Sequence, residues 1–170
     1  MLDQSSSLTS LVLYALVLGI GATLFMDLWA IVMKASFQIP LKNYNLVGRW
    51  VGHMFSGTLF HSPISQSPPI KHEALLGWVV HYGVGVIFAL TFLLIVGVQW
   101  LSAPTFTQAF LFGILSLVMP FFIMQPCMGA GIAASLTPDP FTARLYSFIA
   151  HTSFGAGLYV SGLTIFHIIR

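Results

Sequence analysis

Three side chains that can carry a charge or a proton lie inside long apolar stretches of this 170-residue chain. Asp27 lies in "TLFMDLWAIVM", His81 in "GWVVHYGVG" and His151 in "HTSFGAGLY". Buried Asp and His can change protonation near neutral pH, which suits a proton relay or a transport pathway. The same residue types also ligate iron or zinc, and they form ordinary hydrogen bonds between membrane helices.

The composition predicts the elements that carry these residues. The chain is 57% hydrophobic and only 6% charged, whereas soluble domains are about one quarter charged. The apolar runs are continuous rather than alternating and reach the roughly 20 residues that a bilayer helix needs. We therefore predict a single all-α integral membrane domain with four transmembrane helices. Their expected ranges are about 8–33, 74–101, 106–126 and 141–169.

The lipid bilayer is therefore the predicted partner, and the net charge of +2 is too small to indicate nucleic-acid binding. The distribution of basic residues predicts the orientation. Five of them fall on one side of the predicted spans and only Arg170 falls on the other: Lys34, Lys42, Arg49, Lys71 and Arg144. We expect loops 34–72 and 136–140 to be cytoplasmic and both termini to lie outside.

The first loop contains a segment with helical periodicity, "NYNLVGRWVGHMF". Its apolar residues, including Trp50, share one face, and its polar residues share the other. This pattern predicts a short amphipathic helix at about 43–55 that lies in the membrane interface. A second interpretation makes this helix a lid, with Arg49 and His53 one turn apart above a pocket.

Helix breaks are expected in the third span, where "MQPCMGAGIAAS" follows Pro120 and contains Pro126. Such breaks persist in a membrane only where neighbouring groups satisfy the freed backbone. Gln125 stands at this break and is expected to approach the ionisable side chains of the other helices.

Depth along the predicted helices brings the three ionisable residues to a common level. At about 1.5 Å of rise per residue, Asp27 lies about 10 Å from the cytoplasmic end. His81 lies about 12 Å and His151 about 17 Å from the same end. Because polar groups facing lipid are costly, we expect Asp27, His81, His151 and Gln125 to form one polar pocket in the cytoplasmic half of the bundle.

Several motifs resemble a known family. They are "MDLWA", "VGRWVGHM", "GWVVHYGVG" and "MQPCMGAGIAASLTPDP", followed by "HTSFGAGLY". Together they resemble the small bacterial membrane proteins catalogued as domain of unknown function 2938. The resemblance implies a multi-pass protein of a bacterial inner membrane, and it implies no activity, substrate or catalytic residue.

Three interpretations of the polar set remain open. It is structural and joins helices, or it lines a pocket for transport or an accessory role, or Asp27, His81 and His151 bind a metal ion. We favour the pocket as the function, with a metal- or quinone-dependent membrane enzyme and a purely structural subunit as alternatives. No sequence motif indicates catalysis, so no catalytic residue is predicted and the cofactor, if any, stays unknown. A chain this small would need homo-oligomers to form a complete permeation path.

Overall fold

The computed structural model describes residues 8–169, which consist of helices, turns and loops without any strand. The all-helical prediction is therefore confirmed for this part of the chain. The helices are α1 (Leu8–Phe37), α2 (Tyr44–Met54), α3 (Glu73–Val96), α4 (Phe106–Leu115), α5 (Gln125–Cys127) and α6 (Pro140–Ile169). A π-helical turn, Pro120–Met124, connects α4 to α5, and 3₁₀ turns occur at Ile64–Gln66, Val98–Ser102 and Ile132–Ala134.

Among residues 8–169, three helical segments are long and apolar enough to cross a membrane. They are Leu8–Phe37, Glu73–Val96 and Phe106–Cys127, the last of which runs through α4, the π turn and α5. Helix α6 is as long as α1, at 30 residues, but polar residues such as Arg144 and His151 lower its mean hydropathy. Its role as a fourth span stays a prediction.

Two helix ends differ from the expected ranges. Helix α1 continues to Phe37, beyond the expected end near residue 33. Helix α3 ends at Val96 instead of continuing to residue 101, because Gly97 has a positive φ of 85° that an α-helix does not accommodate. Residues 98–102 then form a separate 3₁₀ turn.

Close helix packing depends on small residues. Helix α1 packs against both α3 and α6, and α4 packs against α6. A side chain at Gly19 of α1 would meet the backbone of α3 at Val86, and one at Gly113 of α4 would meet the backbone of α6 at Gly155. Such small-residue contacts are typical of helices that associate in membranes.

The bundle has one densely packed half, which lies away from the first loop. Its buried residues come from the N-terminal part of α1, the C-terminal part of α3, the start of α4 and the C-terminal part of α6. Phe92 makes edge-to-face or tilted ring contacts with Trp100 and Phe112, at centroid distances of 4.8 and 5.3 Å. We call this region the packed half.

The other half of the bundle contains the break in the third span. Pro120 and Pro126 lack the N–H donors of a regular helix, and the backbone widens into the π turn between them. After α5 the chain turns at Gly129 and passes against the first loop. There, His61 donates its backbone N–H to Cys127 O at 2.9 Å, and Ile64 donates to Met128 O at 3.0 Å. The first loop and the broken helix therefore lie at the same end of the bundle.

Candidate functional site

Asp27 is the centre of a hydrogen-bonded group that joins three segments. His81 Nε2 of α3 lies 2.9 Å from Asp27 Oδ1, and the Tyr82 hydroxyl donates to Oδ2 at 3.1 Å. The Tyr44 hydroxyl of α2 donates to Oδ1 over a longer distance of 3.5 Å. Asp27 and His81 were expected to approach one another, and the structure places them in direct contact.

Aromatic rings surround the His81 imidazole. Tyr44 stacks on it with a centroid distance of 4.1 Å and an interplanar angle of 27°, and Trp78 and Tyr82 approach at 5.7 and 5.3 Å. Burial and the neighbouring Asp27 carboxylate raise the pKa of the Tyr44 phenol, which therefore stays a hydrogen-bond donor. Three aromatic side chains thus enclose the ring that bonds to Asp27.

His151 does not join this group. Its Nδ1 lies 2.6 Å from Ser116 Oγ, and that hydroxyl also donates to the carbonyl of Gly113 at 2.6 Å. Since a serine hydroxyl has a single proton, this arrangement assigns the Nδ1 proton to His151 and leaves Nε2 as an acceptor. Within residues 8–169, Nε2 has no hydrogen-bond partner.

Gln125 likewise makes no direct bond to Asp27 or the histidines. Its Nε2 donates to Ser147 Oγ of α6 at 3.3 Å, while Ser147 donates to the carbonyl of Ala143. The Gln125 Oε1 is buried without a partner among the described residues. The four residues predicted to form one polar pocket therefore divide into a bonded pair, Asp27 and His81, and two separate side chains.

The metal-ion interpretation does not fit this arrangement. The Asp27 carboxylate is already occupied by one imidazole and two hydroxyl donors, and His151 is bonded elsewhere. In the described part of the chain, no group of three or more His, Cys, Asp or Glu side chains is arranged to hold a metal ion. The geometry thus corrects the expectation that Asp27, His81 and His151 form one ligand set.

A cavity of about 300 Å³ lies in the half of the bundle that faces the first loop. We call it the main cavity. Helices α1, α2, α3, α5 and α6 contribute to its wall together with the π turn, and His81, Gln125 and His151 all line it. Much of the remaining wall is apolar and flexible, with four methionines: Met26, Met119, Met124 and Met128.

Helix α2 closes one side of the main cavity. It does so with its apolar face, whereas the lid interpretation expected the face that carries Arg49 and His53. Leu46, Val47 and Trp50 line the cavity. Trp50 is only 5% exposed, and its indole N–H donates to the carbonyl of Leu59. Trp50 is therefore buried within the bundle, and the interfacial position of α2 stays a prediction.

The predicted lid residues, Arg49 and His53, do not line the main cavity. Arg49 forms a bidentate ion pair with Glu73 of α3, at 2.8 and 2.9 Å, and also donates to the carbonyl of Ser67. His53 Nε2 lies 2.9 Å from the carbonyl of Pro68. These two residues attach α2 to α3 and to the loop before it, since each has a bonding partner there.

A family model described as "Protein of unknown function (DUF2938)" matches residues 16–165, nearly the whole chain. The chain belongs to this family. The resemblance found in the sequence motifs is thus confirmed. No curated protein matches this DUF2938 chain, and no solved structure does either.

Lys42 is a further site residue of this DUF2938 protein that the sequence did not identify as one. It lines the main cavity and also a smaller one of about 50 Å³ between α1 and α6, which Asp27 borders. The residue as a whole is exposed, but apolar neighbours withdraw its ammonium group from water and lower its pKa. Lys42 forms no ion pair within residues 8–169.

Tyr44, Tyr82 and Ser116 also escaped prediction. Tyr82 follows His81 directly in the sequence. A hydroxyl group beside a histidine that was expected to approach Asp27 could have indicated a second hydrogen-bond donor. No signal placed Tyr44, because the path of the 38–43 loop decides where α2 begins. Ser116 could not be assigned, since its contact with His151 depends on how α4 and α6 rotate about their axes.

Proposed function

We propose that this protein is a four-span inner-membrane protein whose main cavity binds a small molecule, in a transport or accessory role. The observation that carries the proposal is the main cavity itself, which adjoins the bonded pair Asp27 and His81. Cavities of about 300–1,000 Å³ with mostly apolar walls and a few polar groups are typical small-molecule sites. Ionisable residues within membrane segments commonly mark transport or proton pathways.

The site supports binding at one end of the bundle. The main cavity reaches the first loop, while the packed half closes the other end with buried aromatic rings. A single chain therefore offers a half-channel, and a complete path would need a rearrangement or a second copy of the chain. Our proposed orientation places the cavity on the cytoplasmic side, because the basic residues concentrate there. A reporter fused to the C-terminus tests this orientation, and a cytoplasmic reporter would contradict it.

Filling the main cavity tests the proposal of ligand binding. Ala150 of α6 lines the main cavity, so Ala150→Phe places a ring inside it. The matched control is Val160→Phe, which adds similar bulk on an exposed face of the same helix, where Val160 is 45% exposed. Native mass spectrometry from nanodiscs then measures the small molecules that remain bound.

We expect a bound small molecule in the wild-type protein and in Val160→Phe, and its loss in Ala150→Phe. Equal retention in both variants would contradict binding in the main cavity. So would a wild-type protein that carries no small molecule after purification in native lipid.

A further inference from the structure

The main cavity is lined by a basic side chain without any acidic side chain in the described wall. Among the described residues, its wall contains no Asp or Glu, and Lys42 is its one Lys or Arg. The three acids of the described segment have other partners. Asp27 bonds to His81 and the tyrosines, Glu73 pairs with Arg49, and Asp139 accepts from the backbone N–H of Thr142 at the start of α6. An unpaired cation that is partly withdrawn from water favours an anion beside it.

Further hydrogen-bonding groups stand along the same wall. Asn43 offers the N–H groups of its side-chain amide, whereas the Tyr44 phenol already donates to Asp27 and the unbonded His151 Nε2 is an acceptor. Lys42, Asn43 and Tyr44 are consecutive and belong to the segment that enters α2. The donors that suit an anion, Lys42 and Asn43, therefore lie together at the side of the cavity where α1 passes into α2.

The rest of the wall suits an apolar chain. The four methionines, together with Val80, Val84, Phe88 and Phe154, form a surface without charge. Methionine side chains are flexible and polarizable, and they are common where a protein accepts apolar ligands of variable shape. A purely polar anion would leave this surface without a complementary partner.

The smaller cavity between α1 and α6 provides a neighbouring crevice. It shares Met26, Lys42, Tyr44 and Ala150 with the main cavity, and its other residues include Trp29 and Met33 of α1. Trp29 is 40% exposed on the surface of the bundle. The Lys42 ammonium thus borders both the main cavity and a crevice between two membrane-facing helices.

We infer that the ligand of the main cavity is a single-chain amphipathic anion. Its carboxylate or phosphate group binds Lys42 with help from the side-chain amide N–H groups of Asn43, and its alkyl portion lies among the methionines and Phe88. This inference rests on the proposed function, because it names the class of molecule that the cavity binds. It adds a binding role for Lys42 that the polar pair Asp27 and His81 does not supply.

Calorimetric titration of the protein in phosphatidylcholine nanodiscs tests the inference, with empty nanodiscs as the blank for partitioning. The probes share an eight-carbon chain and differ in the head group: octanoate, octyl phosphate, octyl glucoside and octyltrimethylammonium. Acetate and inorganic phosphate test the head group alone. We expect the two octyl anions to bind at least about tenfold more tightly than every other probe, in proportion to a charge-assisted contact.

Variants of Lys42 separate its charge from the stability of the fold. Lys42→Met should weaken octanoate binding about tenfold and leave octyl glucoside binding unchanged, because only the charged contact is lost. Lys42→Arg should restore octanoate binding. Lys71→Met is the matched control, since Lys71 is exposed in the first loop and lines neither cavity.

The outcomes distinguish this inference from the proposed function. If octyl compounds bind regardless of charge, or Lys42→Met binds octanoate as the wild type does, the anionic class is overturned while the binding cavity stands. If acetate or phosphate binds as tightly as the octyl anions, the amphipathic part is overturned. If no probe binds at all, the inference and the proposed ligand-binding function both fall.

Discussion

The two halves of this bundle use the same helices but fill the space between them differently. In the packed half, Phe92, Trp100 and Phe112 fill the gap between α3, α4 and α6. In the half facing the first loop, the π turn follows α4, and the wall is formed by flexible methionines around a cavity of about 300 Å³. Regular helices with rigid aromatic side chains pack densely, whereas a proline-broken helix leaves room for a ligand.

The polar residues follow the same division. Asp27, His81, Gln125 and Lys42 all lie in the half that contains the main cavity, which we call the cavity half. The buried side chains of the hydrophobic cluster that fills the packed half are apolar. The stability of the bundle should therefore depend mainly on one half and its function on the other. The predictions below test that separation.

The largest effect is expected from truncation in the packed half. Phe92 is fully buried, and Phe92→Ala should lower the free energy of unfolding by about 3–5 kcal/mol through lost burial and a residual void. Met124→Ala, at the cavity wall, should cost less because the Met124 side chain is only partly buried and borders the cavity. Reversible unfolding in mixed micelles measures both variants. Equal losses would contradict the proposed division between the halves.

The second-largest loss of stability is expected where α2 packs against α3. A side chain at Gly48 would collide with the carbonyl oxygen of Glu73 on α3, so Gly48→Ala should push α2 away and cost about 1–3 kcal/mol. Gly83→Ala is the control, because a methyl group there meets no neighbouring atom. Hydrogen exchange should rise in residues 44–54 of Gly48→Ala and stay unchanged in the control. Unchanged exchange in both would show that close contact at Gly48 does not hold α2 in place.

Particular residues show which parts of the structure can be predicted from the sequence and which cannot. Hydropathy located the long apolar helices, and depth along them brought Asp27 and His81 to one level, where the structure joins them. Depth along a helix does not give the rotation of that helix about its axis. The contact between His151 and Ser116 could therefore not be predicted. The lid residues were misplaced because the periodicity of α2 shows two faces but not which one turns inward. The pair Arg49 and Glu73 decides this, and it joins residues far apart in the chain.

The smallest effect on stability is expected at Asp27. In Asp27→Asn the amide can still accept from His81 and bond to Tyr82, so the free energy of unfolding should change by less than about 1 kcal/mol. Octanoate should bind severalfold more tightly, because a negative charge that borders the smaller cavity beside Lys42 is removed. Asp139→Asn, at the start of α6, is the control and should leave octanoate binding unchanged. A loss of stability with unchanged binding would assign Asp27 a purely structural role.

The central claim is that the cavity half is accessible to ligand while the packed half is not. Cysteine reactivity tests it most directly, in a Cys127→Ser background that removes the one native thiol. Ala150 lines the main cavity and Ala109 is fully buried in the packed half. Ala150→Cys should react with a small methanethiosulfonate reagent in the folded protein, and octanoate should slow that reaction, whereas Ala109→Cys should stay protected until unfolding. Equal protection of the two thiols would contradict the account.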